Sequence, residues 1–441
     1  MQTALVVGAG KTSVYLIEYL LKHAPRNKWN IIVADSNMDA IADKIGDDSY
    51  AEAVVLDITD NKQRASLVKR ADIVISLMPP QLHHILAEDC LTHKKHLITA
   101  SYVSPEMKAL HEKAKQAGLM FMCEMGLDPG IDHMTAHSII NSIHKVAGSI
   151  IGFQSYAGGL IAPESDNNPW HYKFTWNPYN VVTAGNAGAK YLYKGKVVEI
   201  PYESVFANPG KGSKIQDVGQ MMCYPNRDSL KYLELYDLPD VKTFIRGTYR
   251  YKGFIRAWNI IVHLGLTDTS DTVSAKTYAE WVRLKNNFDE TSLKTQIADK
   301  MGITIDDKSI TMIEWLGILY DEPITSNKRN SADILLDVLL RKWELKPRDR
   351  DMVIMVNEVE YEHKNNGKTK LRSTMVLKGE NNKYSAMAKT VGLPMGILAK
   401  LILTKKVVPP TGVHIPNMQS IYKPVLAELE EHGIVFHEEV T

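Results

Sequence analysis

The sequence predicts an α/β fold: a Rossmann-type doubly wound parallel sheet joined to a second, mixed α/β domain that carries a small helical insert. Three observations predict it. Residues 1–125 alternate short apolar runs with amphipathic stretches, the pattern of a parallel sheet covered on both faces. A glycine turn, Gly8-Ala9-Gly10-Lys11-Thr12-Ser13, joins the first apolar run to the first helical pattern. Beyond Gly126 the alternation gives way to strand-like stretches mixed with Gly, Pro and aromatics, which argues for a mixed or antiparallel sheet.

The run Ala4-Leu5-Val6-Val7 reads as a buried strand, and Val14, Leu16, Ile17, Leu20 and Leu21 follow at helical spacing. A tight turn between them aims backbone N–H groups and the positive end of a helix dipole at an anion. The first glycine permits the turn and the second lets a pyrophosphate approach; small Ser13 takes the third position. Gly10-Lys11-Thr12 also resembles the end of a Walker A loop, but the position that loop reserves for its first glycine is Leu5. A dinucleotide site instead requires a second strand ending in an acid, and residues 29–34 followed by Asp35 supply it.

Further strands are predicted at 52–56, 72–77, 95–99 and 119–123, and helices at 12–23, 37–45, 61–69, 82–92 and 104–117. Ligands of such sheets bind beyond the carboxyl ends of the strands. Gly8 to Thr12, Asp35, Asp57, Ile58, Ser76, Ser101, Tyr102 and Asp128 therefore stand where they matter most. In the second half, a helix is expected over 132–146 with Asp132 as N-cap, and strands at 150–157, 191–194, 197–200 and 244–251. Residues 272–345 read as helical and charged. Segments 351–361 and 370–378 form a hairpin around a turn at 364–367. A long apolar helix over 385–403 contains Gly392, Pro394 and Gly396, expected to mark a kink or a break.

Composition narrows the function classes. The 441 residues include 52 Lys and Arg against 51 Asp and Glu, so there is no nucleic-acid footprint. Cys90, Cys123 and Cys223 are too scattered for a disulfide framework or a zinc site; they read as small buried residues in a reducing, cytoplasmic setting, and no metal is expected. No apolar run reaches the roughly 18 residues of a membrane span, and no basic lead-in marks a signal peptide.

Several local sequences carry chemistry. Gly126-Leu127-Asp128-Pro129-Gly130-Ile131-Asp132-His133 sits where the two halves meet. Pro129 disfavours helix at Asp128 and Gly130 allows a left-handed turn, so Asp128 is either fixed at the mouth of the nucleotide cleft or part of a capped linker. Ser76-Leu77-Met78-Pro79, Ser101-Tyr102-Val103-Ser104-Pro105, the segment 156–164, Asn226-Arg227-Asp228 and Tyr384-Ser385-Ala386-Met387-Ala388-Lys389 complete the set.

With these motifs in this order, nearly the whole chain resembles the saccharopine reductase family, the glutamate-forming saccharopine dehydrogenases of lysine metabolism. The resemblance implies that glutamate's amine condenses with 2-aminoadipate 6-semialdehyde and that a nicotinamide hydride reduces the imine to saccharopine, or the reverse. It implies a homodimer acting on small molecules. It also implies three parts: residues 1–127 with roughly 390–441 as the Rossmann domain, 128–271 with 346–389 as the substrate and dimerisation domain, and 272–345 as the helical insert. Matched position by position, it assigns Gly8, Gly10, Lys11 and Thr12 to the phosphates and Asp35 and Ser36 to the ribose edge. Asp57 and Ile58 fall on the adenine side and Ser76 near the middle of the cofactor. Leu127, Asp128 and Trp176 fall near the nicotinamide. Ser101, Tyr102, Asp128, Arg227, Thr248, Tyr249 and Arg250 match substrate contacts.

These residue types suit a ligand with three carboxylates and two amines. Arg227 and Arg250 offer planar bidentate donors for carboxylates; the competing readings are a structural ion pair for Arg227 and a half-exposed strand residue for Arg250. Asp128 suits a substrate ammonium or the secondary amine. Asp128 and Tyr102 are the catalytic candidates, while His133, which more often packs or caps in such a helix start, and water remain alternative acids. The roles of His171 and Lys173 stay open. Asp35 would repel a 2′-phosphate and hydrogen-bond a ribose diol, so the residues favour NAD where family precedent favours NADP; Ser36 or Asn37 could still accept a phosphate. The alternatives are an imine reductase of the carboxynorspermidine or homospermidine type, disfavoured by the paired arginines, and a non-catalytic NAD(P)-binding regulator.

Overall fold

The computed structural model describes residues 1–146, 148–325, 330–363 and 367–441. The chain divides into two compact units, residues 1–149 with 375–437 and residues 150–374 with 438–441.

In the first unit, β1 (Gln2–Val7), β2 (Trp29–Asp35), β3 (Ala51–Val55), β4 (Ile73–Ser76), β5 (His96–Thr99) and β6 (Met120–Met122) form a parallel sheet in the order β3-β2-β1-β4-β5-β6. The strand Gly412–His414 extends it beyond β6. Ala4, Leu5, Val6, Ile73, Val74 and Ile75 are completely buried, as strands covered on both faces require. Strand order reverses between β1 and β4, and this switch point opens the crevice where ligands of doubly wound sheets bind. Helix α1 (Val14–Asn27) follows the glycine turn and runs past Pro25, longer than the 12–23 expected. The helix expected over 104–117 is instead two, Pro105–Ala109 and His111–Gln116.

The long helix Ala386–Leu403 does not break, and Pro394 lies inside it. Its glycines serve packing. A Cβ on Gly392 would stand 3.0 Å from the Leu16 nitrogen and 3.1 Å from the Thr12 carbonyl oxygen, so the helix backbone lies directly on the start of α1. Its 18 residues have the length and hydropathy to cross a membrane, but 78% of that stretch is buried in the protein.

The helix Ile131–Lys145 also belongs to this unit. Its Asn141 Nδ2 donates to the Tyr422 hydroxyl at 2.8 Å, on the helix Gln419–Glu431. The first unit therefore extends to 149 and resumes at 375, rather than ending at 127 and resuming near 390.

The second unit is built on a mixed sheet. Strand Thr243–Tyr251 runs parallel to Gly148–Ile161 and antiparallel to Gly219–Pro225. Strands Asp351–His363 and Gly367–Lys378 are neighbours, as a hairpin requires. Most of its turn, expected at 364–367, lies outside the described residues. The segment 272–345 has no separate core. Trp281, Ile313, Leu335 and Trp343 share one apolar cluster with Trp170, Phe254 and Trp258. A second cluster, including Leu160, Ile215, Met221, Tyr249, Ile354 and Val356, contains residues of five of the sheet strands.

Candidate nucleotide and substrate site

The glycine turn is braced from below. Gly8 N–H donates to the Ala34 carbonyl at 2.8 Å, and Ala9 N–H donates to Asp35 Oδ2 at 2.7 Å. Asp35 Oδ1 accepts from Asn37 N–H at 3.0 Å. Asp35 thus ties the turn to the end of β2 and fixes its carboxylate beside the turn. Ser13 Oγ donates to the Gly10 carbonyl at 2.8 Å, tightening the entry into α1. Above Gly10 the space is open, with no atom within 4 Å of where a Cβ would stand. The N–H groups of Gly10, Lys11 and Thr12 find no acceptor among the described residues. A donor set at a helix N-terminus beneath open space fits a dinucleotide pyrophosphate. Exposed Ser36 follows Asp35. Beyond β3, Asp57 accepts from the Thr59 N–H and hydroxyl at 2.8 and 2.7 Å, bonds that lower its pKa. Arg64 holds the neighbouring Ile58 carbonyl at 2.7 Å.

Ser76 departs from the expectation. Its side chain is fully buried and its Oγ lies 2.8 Å from His83 Nδ1, so its hydroxyl is not offered to a cofactor. His83 Nε2 lies 2.8 Å from Ser101 Oγ. Burial lowers the His83 pKa to about 4, leaving the imidazole neutral. Sequence reading missed His83, although a polar residue on the inward face of a predicted helix just past the strand edge was a usable signal.

Ser101, Tyr102 and Asp128 come together, each half-buried. The Tyr102 hydroxyl donates to Asp128 Oδ1 at 3.1 Å. Two turns hold the pair. Gly126 N–H donates to the Pro129 carbonyl and Ile131 N–H to the Gly126 carbonyl, at 3.0 and 2.9 Å, across a cis Asp128–Pro129 peptide. Gly130, at φ 147°, is obligatory, since a Cβ there would fall 2.0 Å from the Gly126 oxygen. Gly130 is the N-cap position; Asp132 sits in the first turn and accepts the Gly130 N–H at 2.5 Å. Leu127 is largely buried, and its carbonyl accepts from Asp132 N–H at 3.1 Å.

A buried acid absent from the expectations, Glu124, links the two turns. Its Oε1 accepts from Val103 N–H at 2.9 Å, its Oε2 meets His133 Nε2 at 2.7 Å, and its own N–H donates to the Ser101 carbonyl at 3.0 Å. His133 is completely buried in this network, which gives it a supporting role rather than that of an acid.

The remaining candidates lie in the second unit. Arg250 is 4% exposed, and its guanidinium carbon stands 5.1, 5.2 and 5.9 Å from the ring centres of Tyr172, Phe254 and Tyr224. Its Nη1 donates to the Tyr249 carbonyl at 2.8 Å, but its Nε has no acceptor and no carboxylate pairs with it among the described residues. Thr248 shares the Arg250 face because strand side chains alternate. For the same reason Tyr249 does not join them: it is buried in the opposite layer, stacked on Tyr156 at 5.2 Å, with its hydroxyl on Ser213 Oγ at 3.0 Å. Arg227 is exposed at φ 57°, and the neighbouring Asp228 caps Leu230 N–H. Trp176 packs, partly buried, on the aromatic cluster. Lys173 is a buried structural cation, 2.6 Å from Asp349, and His171 pairs with Asp166 at 2.5 Å.

Two family models cover most of the chain: the saccharopine dehydrogenase NADP binding domain over residues 4–122 and the saccharopine dehydrogenase C-terminal domain over 126–434. The chain is 34% identical to the saccharopine dehydrogenase [NADP(+), L-glutamate-forming] of Schizosaccharomyces pombe, over 100% of this chain and 99% of that one. It is 33% identical to the mitochondrial alpha-aminoadipic semialdehyde synthase of Bos taurus over 98% of this chain, and spans 47%, about half, of that longer protein. Its structure is similar to an apo saccharopine dehydrogenase (L-Glu forming) from Saccharomyces cerevisiae, with a TM-score of 0.88, 29% identity and 100% of both chains covered. The glycine turn, the braced Tyr102–Asp128 pair and the full-length kinship together make this chain a member of the saccharopine dehydrogenase family.

Proposed function

We propose that the chain is a nicotinamide-dependent oxidoreductase that interconverts saccharopine with glutamate and 2-aminoadipate 6-semialdehyde. The observation that carries the substrate class is Arg250. A guanidinium buried among aromatic rings without a carboxylate bears a desolvation penalty of several kcal/mol. A carboxylate of a tri-anionic amino acid would offset it with charge-assisted hydrogen bonds. A polyamine ligand would not. Exposed Arg227 and Thr248 are further substrate contacts in this reading, and Trp176 lines the nicotinamide side.

The bound cofactor supplies or accepts a hydride. The Gly10 to Thr12 backbone holds its pyrophosphate and Asp35 its ribose diol, with Lys11 beside the phosphates and Ser36, Asp57 and Ile58 along the adenosine end. Tyr102 and Asp128 form a hydrogen-bonded pair that orients the secondary amine of saccharopine and exchanges a proton with it. Orientation is the larger contribution, since hydride transfer between two bound molecules gains most from pre-alignment. The Schizosaccharomyces pombe relative and the matching N-terminal domain family are named for NADP, yet the fixed carboxylate of Asp35 favours NAD. A cytoplasmic homodimer is the working form in this reading. The test is turnover of saccharopine with each oxidised cofactor by the wild type and by Arg227→Ala, which should raise the saccharopine KM by about 2–3 kcal/mol of lost binding. Wild-type turnover with unchanged KM in the variant would remove Arg227 from the site.

A further inference from the structure

Ser76, His83 and Ser101 form a chain of hydrogen bonds, each link 2.8 Å long, from the interior to the ligand edge of the first unit. Ser76 is completely buried and its hydroxyl has His83 Nδ1 as its one acceptor among the described residues. A buried hydroxyl proton without an acceptor is costly, so Ser76 donates to Nδ1. A neutral imidazole carries one N–H, which must then sit on Nε2 and donate to Ser101 Oγ. Ser101, half-buried at the end of β5, has its own proton left over.

We propose that Ser76 and His83 are positioning residues that lock Ser101 as a hydrogen-bond donor toward a carboxylate oxygen of the substrate. Resting on the substrate class argued above, the relay explains why the Ser76 hydroxyl lies inward. It also favours ligands that present an acceptor at this point, such as a carboxylate or carbonyl oxygen. Burial of His83 keeps the ring neutral, so the arrangement persists across the working range.

Two variants separate the links. In Ser76→Ala, Nδ1 loses its donor and the tautomer is no longer fixed. In His83→Asn, the shorter side chain cannot reach Ser101. Each should raise the saccharopine KM about tenfold while leaving kcat and the cofactor KM little changed. His83→Gln, whose amide N–H stands near the position of Nε2, should restore most of the loss. Equal changes in both KM values, or none, would overturn the relay. A second readout needs no turnover. In protein labelled with nitrogen-15 at histidine, the signals missing from His83→Gln identify His83. Their shifts should report a proton on Nε2 and a bare, hydrogen-bonded Nδ1, and Ser76→Ala should change them. A proton on Nδ1 would refute the proposal. Absence of saccharopine turnover in the wild type would instead overturn the function proposed above, with the NMR result still deciding the relay.

Discussion

Asp35 does two jobs at once. Its Oδ2 pins Ala9 N–H and its Oδ1 takes Asn37 N–H, so the carboxylate is fixed where the proposed site puts the ribose. A fixed anion there repels a 2′-phosphate. The expected outcome is a kcat/KM at least about tenfold higher with NADH than with NADPH, measured by steady-state kinetics at one ionic strength. A preference for NADPH would show that Ser36, Asn37 or another group compensates the charge. Arg250 gives a second residue-scale prediction. Arg250→Met should leave the thermal midpoint unchanged or raised, because it removes a buried charge, while lifting the saccharopine KM by about 2 kcal/mol. A large loss of stability would mean that its contacts with Tyr172 and Phe254 are its main role. At this scale the sequence was legible where chemistry has a fixed address. The acid ending β2 and the turn around Asp128 were foreseen. Ser76 and Tyr249 were misassigned because the identity of a residue does not say which way its side chain points.

At the scale of elements, close packing decides. Gly392 lets the helix Ala386–Leu403 lie on Thr12 and Leu16, and these neighbours are mostly backbone and cannot move aside. Gly392→Ala should cost about 1–3 kcal/mol, read from the denaturant midpoint, despite alanine's better helix propensity. A stabilising effect would mean that the helices separate freely. The sequence led to a kink or a break here, and the break does not occur, because Gly and Pro that end some helices can also sit at close contacts. Only the partner helix, distant in sequence, reveals a packing role. Glu124 is the counterpart among loops. Removing its carboxylate in Glu124→Ala would take away the partner of Val103 N–H and the Glu124 contact of His133 Nε2, with an expected loss of about 3 kcal/mol and a fall in kcat as Tyr102 and Asp128 loosen. Unchanged kcat in a folded variant would show that the pair needs no such support.

For the molecule as a whole, strand alternation made the parallel sheet and its ligand edge readable, since both follow from local hydrophobic period and the first turn. The extents of the two units were not. Helix Ile131–Lys145 joins the first unit through Asn141 and Tyr422, and the segment 272–345 merges into the core around Trp258, both through long-range contacts. Global stability should also carry the signature of His83. Its folded pKa, about 4, lies below the ordinary histidine value of 6.5, so its contribution is complete above pH 6.5 and is lost as pH falls toward 4. Denaturation series should show up to about 3 kcal/mol less acid loss in His83→Gln than in the wild type; identical pH profiles would show that the ring does not titrate in this way. The most direct measurement of all is to mix the purified protein with saccharopine and either oxidised cofactor and follow the appearance of reduced nicotinamide. Sustained reduction with stoichiometric release of glutamate is the predicted result; no reduction with either cofactor, in protein shown to be folded and to bind the dinucleotide, would contradict it.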